Sequence, residues 1–387
     1  MIEKGAVVKD ARPIGVIFGA GNIGKGLLGE LFQDAGLSIV FIEADPGAVA
    51  SLSAEGEYAL HLHGAGRATV RRIGPFEVHA TGSAEASEAL RRAQVCATAV
   101  GPANLEDVGR TLASACSGRE RGPWNVLVCE NDRGGAERLR RQLAVRGDRA
   151  PGCVQCSVER MVAGAEADAQ GHFRVHAEAY SPLFAEGGSW YGPRPEWPGL
   201  GFVEDIGAYF DRKKYTNNFG HAVLGYLGAM KGYRFVWEST EDAEIESLLA
   251  AWLKCFCAAL AEEYDVWSAR ELEAHVRSLL GERFANRALG DTIARVCRDP
   301  ARKLGPQERM VGALRLLQRH GQPTDGFGRL IGAAALFALE NEADRWPAPG
   351  AEAPDLEDAL VNTTGLDRSS PPIREAMDFI RDKGGVR

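Results

Sequence analysis

Near the start of the chain, Ile14 to Phe18 is a short apolar run with the character of a buried strand. A Gly-x-Gly-x-x-Gly turn follows at Gly19, Gly21 and Gly24, with Asn22 and Ile23 between the last two glycines. A helical pattern then runs through Leu27, Leu28, Leu31 and Phe32 to Gly36. Strand, glycine turn and helix in that order constrain the fold more than anything else in the chain. The first glycine permits a tight turn, the second lets backbone approach a pyrophosphate, and the third lets helix and strand pack closely. The helix N-terminus then faces the phosphates. A second apolar run, Ile39 to Ile42, ends in Glu43, where a carboxylate can bind a ribose 2′-hydroxyl and repel a 2′-phosphate. This predicts NAD rather than NADP, with Asp45 as the second candidate for the ribose. The bland alternative is a glycine-rich turn with no ligand, but the motif stands in the structural context it requires.

Further along, Arg67 to Ile73, Phe76 to Ala80, Val95 to Val100, Trp124 to Cys129, Val154 to Val162 and Phe173 to Ala179 are candidate strands. Helical patterns at Ser83 to Arg92, Leu105 to Ala115 and Ala136 to Val145 alternate with them, which implies parallel βαβ units. Gly101-Pro102 ends one strand sharply, and in a doubly wound sheet such a carboxyl-end loop is where ligands bind. Gly, Pro and Trp crowd together between Gly187 and Gly201. That stretch predicts a domain boundary, with a Rossmann-type domain over 1–200 and a second domain over 201–387. Beyond it strand signals almost vanish. Helical patterns cover Ala222 to Lys231, Ala243 to Tyr264, Ala269 to Leu280, Asp291 to Arg298, Glu308 to His320 and Leu330 to Glu340, so the second domain is expected to be mostly α. The Pro- and Ala-rich run from Trp346 to Pro354 predicts a surface loop.

A length of 387 residues, an apolar share of 45% and a charged share of 25% are ordinary for a soluble globular chain. No apolar run is long enough to span a bilayer. Met1 to Pro13 lacks the apolar core of a secretory signal, so a cytoplasmic location is expected. A net charge of -8 argues against general nucleic-acid binding. Cys153-Val-Gln-Cys156 stands without a second pair at zinc spacing, so no metal site is expected.

A nicotinamide alone does no substrate chemistry: alcohol oxidation needs a base for the hydroxyl proton and donors for the oxygen. A lysine whose pKa is lowered by burial is a base that needs no metal. The densest polar cluster after the boundary, Arg212 to His221, opens the apolar stretch Ala222 to Leu227. By itself it fits a solvated first helical turn capped by Thr216 or Asn217.

Phe18-Gly-Ala-Gly-Asn-Ile-Gly-Lys-Gly26, Thr98-Ala-Val-Gly-Pro102, Cys129-Glu-Asn131 and Lys213-x-x-x-x-Asn218-x-x-His221 together resemble the polyol-specific long-chain dehydrogenases. Arg283-Phe-Ala-Asn286, Asp291 and Arg298-Asp-Pro-Ala-Arg-Lys-Leu304 extend the resemblance over most of the chain. It implies a zinc-independent, NAD-dependent oxidoreductase. Lys213 would be the general base, Asn131 and Asn218 would hold the substrate oxygen, and His221 would orient the substrate. The compact length is most similar to the branch that interconverts a sugar-alcohol phosphate and a ketose phosphate. A free polyol or a uronate is the alternative substrate, and a non-catalytic NAD sensor the alternative class. On a regular helix Lys214, not Lys213, shares a stripe with Asn218 and His221. The family spacing instead selects Lys213, which is consistent if the helix starts after it, and Lys214 is the alternative base. Glu159 stands where the family usually has aspartate near the substrate. Arg302 and Lys303 are candidates for a substrate phosphate or, equally, for surface ion pairs.

Overall fold

The computed structural model describes residues 12–64, 66–119, 124–144, 150–167, 173–341, 346 and 353–383. Most of Met1 to Pro13 and of the Trp346 to Pro354 loop lies outside them. Contacts divide the chain into two units that meet between Tyr209 and Phe210.

The first unit is built on strands β1 (Ile14–Phe18), β2 (Ser38–Glu43), β3 (Tyr58–Gly64), β4 (Arg67–Ile73), β5 (Phe76–Ala80), β6 (Ala93–Thr98), β7 (Asn125–Val128), β8 (Gly152–Val158), β9 (Val162–Ala167), β10 (Phe173–Glu178), β11 (Leu183–Glu186) and β12 (Leu200–Val203). The eight-stranded sheet has the order β12-β11-β8-β7-β6-β1-β2-β5. Its pairings are parallel except where β11 meets β8. Counting only its first six strands, this is the 3-2-1-4-5-6 order of the doubly wound nucleotide-binding fold. Side chains alternate between two cores, as a sheet covered on both sides requires. Ile17, Phe41, Val95 and Leu127 join one cluster, and Val16, Phe18, Val40, Cys96 and Val126 join the other. Helices α1 (Gly29–Asp34) and α2 (Pro46–Glu55) contribute Leu31, Phe32 and Leu52 to the first core. Helices α3 (Ala84–Arg92), α4 (Leu105–Cys116) and α5 (Gly135–Leu143) contribute Leu90, Leu112 and Leu139 to the second.

The second sheet, of order β4-β3-β10-β9, differs from expectation. β3 pairs in parallel with β10, more than a hundred residues further on. The predicted strand from Val154 to Val162 is two strands, β8 and β9, interrupted at Glu159, Arg160 and Met161. Arg160 is buried there, with Nη1 donating to Gly26 O at 2.7 Å and to Glu30 Oε2 at 2.6 Å. Glu30 and Asp34 in turn hold Arg71 of β4. A chain of charges therefore ties the first helix to the small sheet. Cys153 and Cys156 point into opposite cores, so they do not form a pair.

The second unit is helical. Helix α6 (Ile206–Arg212) passes through a π-helical turn, Lys213–Asn218, directly into α7 (Phe219–Met230). The helix start, which the polar stretch from Asp211 to His221 leaves open in the sequence, lies before Lys213, and the polar residues have buried partners. Asp211 accepts from Tyr264, Thr216 meets His275, and the Arg212 guanidinium stacks over Trp267 at 5.1 Å. α7 is buried from Phe219 to Gly228, and Phe219 packs on the rings of Trp252, Phe256 and Phe327. Around it lie α8 (Val236–Thr240), α9 (Ala243–Glu263), α10 (Ala269–Ser278), α11 (Ile293–Val296), α12 (Pro300–Lys303), α13 (Val311–Arg319), α14 (Phe327–Asn341), α15 (Ala353–Thr364) and α16 (Pro371–Asp382).

Candidate active site

In the first unit the candidate cofactor residues gather at the carboxyl ends of β1, β2 and β6, where the strand order reverses. Gly19, at φ +88°, donates its N–H to Ile42 O at 2.9 Å. A Cβ at Gly19 would fall 2.5 Å from Ala99 O, and one at Gly24 would fall 2.0 Å from Gly19 O. Both positions therefore require glycine. Gly21 is different: a Cβ there meets nothing within 4 Å. The loop closes tightly at its first and third glycines and leaves room at the second, as a cradle for a phosphate requires. Asn22 is exposed and Ile23 half-buried beside that space.

The Glu43 carboxylate lies over the same loop. Oε2 accepts Ala20 N–H at 2.8 Å, and Oε1 accepts Ala44 N–H at 2.7 Å and Asp45 N–H at 3.0 Å. Asp45 is otherwise employed: its Oδ1 accepts Gly47 N–H at 2.8 Å and caps α2. Lys25, the residue after Gly24, turns inward and donates to Ala20 O. Burial draws its pKa down, against the pull of Glu43 and Glu55. These residues fit an NAD: open backbone at Gly21, a helix N-terminus, and a fixed carboxylate at the end of β2.

Gly101 and Pro102 follow β6, and Asn131 stands exposed after β7. Between these two loops lies Glu130, which the sequence reading passed over. It is 5% exposed, and its two oxygens accept Val100 N–H at 3.0 Å and Gly101 N–H at 2.8 Å. The signal was present, since an acid beside Asn131 ends a buried strand, but no spacing rule names its partners. Glu159 is 1% exposed at the end of β8 and accepts from Ser157 Oγ at 3.3 Å.

In the second unit Lys213, Asn218 and His221 share one continuous helix. The π turn changes the helical arithmetic. Its hydrogen bonds span five residues, as Phe219 N–H to Lys214 O does, so residues five apart lie about one turn from each other. Lys213 and Asn218 have that spacing. Lys214 is directed elsewhere: Nζ donates to Gln307 O at 3.0 Å and lies 3.8 Å from Asp211 Oδ1. The His221 ring packs edge-on to Phe284 at 4.9 Å, with Nε2 3.5 Å from Asp291 Oδ2. At that length the contact is electrostatic rather than a tight hydrogen bond. Burial lowers the His221 pKa while Asp291 raises it, and the balance is downward. Asp291 is clasped by Arg295, with Nε and Nη2 each at 2.5 Å. Burial pushes the Asp291 carboxyl up, but His221 and Arg295 outweigh it and hold the pKa at about 2.

The two candidate phosphate ligands on α12 have other partners. Arg302 Nη1 pairs with Glu308 Oε1 at 2.6 Å, the ion-pair alternative. Lys303 is buried, and Nζ donates to Val296 O at 2.8 Å and to Arg298 O. It therefore caps α11, a role the sequence reading did not consider. Burial lowers its pKa to about 8. Among the described residues no group of His, Cys, Asp and Glu is arranged to hold a metal ion.

A doubly wound sheet with an open glycine turn, followed by a helical unit carrying a Lys–Asn–His helix, defines the class of Rossmann-type dehydrogenases with a separate helical domain. The chain belongs to the mannitol dehydrogenase family. The family's Rossmann domain matches residues 14–199, and its C-terminal domain matches residues 205–359. The mannitol-1-phosphate 5-dehydrogenase of Geobacillus thermodenitrificans is 32% identical over 373 residues, covering 92% of this chain and 96% of that protein. The enzyme of that name from Pseudarthrobacter chlorophenolicus is 31% identical over 380 residues, covering 95% and 97%. Among solved structures, Pseudomonas fluorescens mannitol 2-dehydrogenase superposes with a TM-score of 0.72 at 18% identity, covering 97% of this chain and 93% of that one. A D-sorbitol dehydrogenase superposes equally, with a TM-score of 0.72 and 18% identity over 96% and 94%. Both confirm the fold.

Proposed function

We propose that this protein is an NAD-dependent dehydrogenase interconverting mannitol 1-phosphate and fructose 6-phosphate. The observation that carries the substrate is the 32% identity, over 92% of the chain, to a mannitol-1-phosphate 5-dehydrogenase. The first 200 residues bind NAD: the Gly19–Gly24 turn with Asn22 and Ile23 takes the pyrophosphate, Glu43 the ribose, and Gly101 and Pro102 flank the cofactor. Bound NAD supplies the hydride acceptor. Residues 201–387 bind the substrate. Lys213 removes the hydroxyl proton, Asn131 and Asn218 donate to the oxygen as charge develops, and His221 orients the substrate. Glu159 lines the substrate side. A lysine base must be neutral to act, and free lysine titrates near pH ~10.4, so oxidation should rise with pH along a lysine-dependent limb. We place the protein in the cytoplasm. All eight cysteines are unpaired, and no described helix is long and apolar enough to cross a membrane.

One observation favours a second substrate, a free polyol: Arg302 and Lys303 both have intramolecular partners, which leaves the substrate phosphate without an assigned cation. NADH absorbance with a panel of ketose phosphates, free ketoses and uronates decides between them. Turnover confined to fructose 6-phosphate supports the first reading, and turnover of fructose alone supports the second. NADH binding without turnover of any of them would make the protein a sensor.

A further inference from the structure

The π turn at Lys213–Asn218 has a support that neither the family match nor the proposed roles assign. Thr216 is 0% exposed at the centre of the turn. Its hydroxyl has one hydrogen to give, and that hydrogen goes to Arg212 O, 2.6 Å away and four residues back. His275 Nε2, from α10, lies 2.9 Å from the same oxygen. Since the hydroxyl hydrogen is spent on Arg212, the imidazole is the donor. Burial, with the Arg212 and Arg283 guanidiniums, holds the His275 pKa down to about 3. The ring is therefore neutral at ordinary pH, and its one N–H sits on Nε2. A relay of hydrogen bonds results, from His275 to Thr216 Oγ1 to the Arg212 carbonyl at the last residue before the turn.

A threonine hydroxyl bonded to the carbonyl four residues back loosens an α-helical ladder. Here it does so where the helix widens from four-residue to five-residue hydrogen bonds. The widening matters because it decides which lysine stands a turn before Asn218: Lys213 in the π register, Lys214 in the α register. We infer that Thr216 and His275 are positioning residues, which hold the helix in the π register and so present Lys213 rather than Lys214 beside Asn218. The inference rests on the proposed role of Lys213.

Paired substitutions test it. Thr216→Val removes the hydroxyl at nearly constant volume, and Thr216→Ser keeps it. His275→Leu removes the donor, and His275→Gln keeps one. The expected result is a loss of about 10²-fold in kcat for Thr216→Val and His275→Leu, the scale set by misplacing a group by about 1 Å. The lysine-dependent limb of the pH–rate profile should move in both, while NADH affinity by fluorescence titration stays unchanged. Thr216→Ser and His275→Gln should restore rate and profile. Folded Thr216→Val with wild-type kcat and an unmoved limb overturns the inference. If that variant does not fold, the His275 pair decides by the same criteria. A crystal structure of whichever disrupted variant folds gives an answer independent of turnover. Conversion of Lys213–Asn218 to regular α-helix supports the inference, and a retained π turn overturns it. If the unmodified protein turns over nothing in the panel, the functional reading fails and this crystallographic comparison still decides the register.

Discussion

Glu130 clasps Gly101: its Oε2 accepts the Gly101 N–H at 2.8 Å, and its Oε1 accepts the neighbouring Val100 N–H at 3.0 Å. The carboxylate that follows β7 thereby fixes the loop that follows β6. Glutamine at 130 would turn an amide group toward a backbone donor. Glu130→Gln should cost about 1–3 kcal/mol of stability, the usual penalty for a buried donor left unmatched. It should also raise the KM for NAD. Urea denaturation and steady-state kinetics measure the two effects, and unchanged values of both would show that the clasp has no role.

Glu43 should set the cofactor preference. Glu43→Ala removes the negative charge at the end of β2 together with three backbone acceptor contacts. The ratio of kcat/KM for NAD over NADP should fall, mainly through a higher KM for NAD. A wild-type ratio near one would mean that this carboxylate does not reach the ribose.

The two lysines of the π turn should differ sharply. Lys213→Ala should lose about 10²–10⁴-fold in turnover, the scale of general acid–base catalysis, with NADH binding nearly intact. Lys214→Ala should be mild in turnover, because that ammonium is committed to Gln307 O and to Asp211. The reverse ranking, measured across pH, would assign the base to Lys214.

His275 should leave a mark on the acid side of the stability curve. An unfolded imidazole takes its proton near 6.5, while in the fold burial, Arg212 and Arg283 delay protonation to about 3. Above pH ~6.5 the residue is neutral in both states and contributes nothing. As the pH falls from 6.5 towards 3, the unfolded chain binds the extra proton and stability drops; below 3 the slope disappears. His275→Gln should flatten urea midpoints over that window. An unchanged slope would mean that His275 titrates normally.

Much of this architecture is local, and local features are legible in a sequence. The Gly19, Gly21 and Gly24 turn, the double burial of β1 and β2 and the apolar face of α9 are each set by a few neighbouring residues. The four-stranded sheet was hidden because β3 and β10 lie far apart in the chain and nothing in either names its partner. The break between β8 and β9 was hidden because a buried arginine, Arg160, is accommodated only by Glu30 from another element. The start of the site helix was illegible for a related reason. Residues 211 to 218 look solvent-facing until Tyr264, Trp267 and His275 are seen to cover them. Glu130 and Lys303 escaped notice because their partners are backbone groups, which carry no residue identity.

The π turn is an α-helix holding one residue more than its regular course requires, and the surplus falls beside two adjacent lysines. The site is thus spaced by counting along the chain. Removing one of Lys213 and Lys214 would close the helix to a regular course, leave the residues before it facing as they do now, and still leave a lysine one turn upstream of Asn218. The doublet acts as a reading frame for the helix: one frame sets a lysine five residues before Asn218, and the other aims one at Gln307.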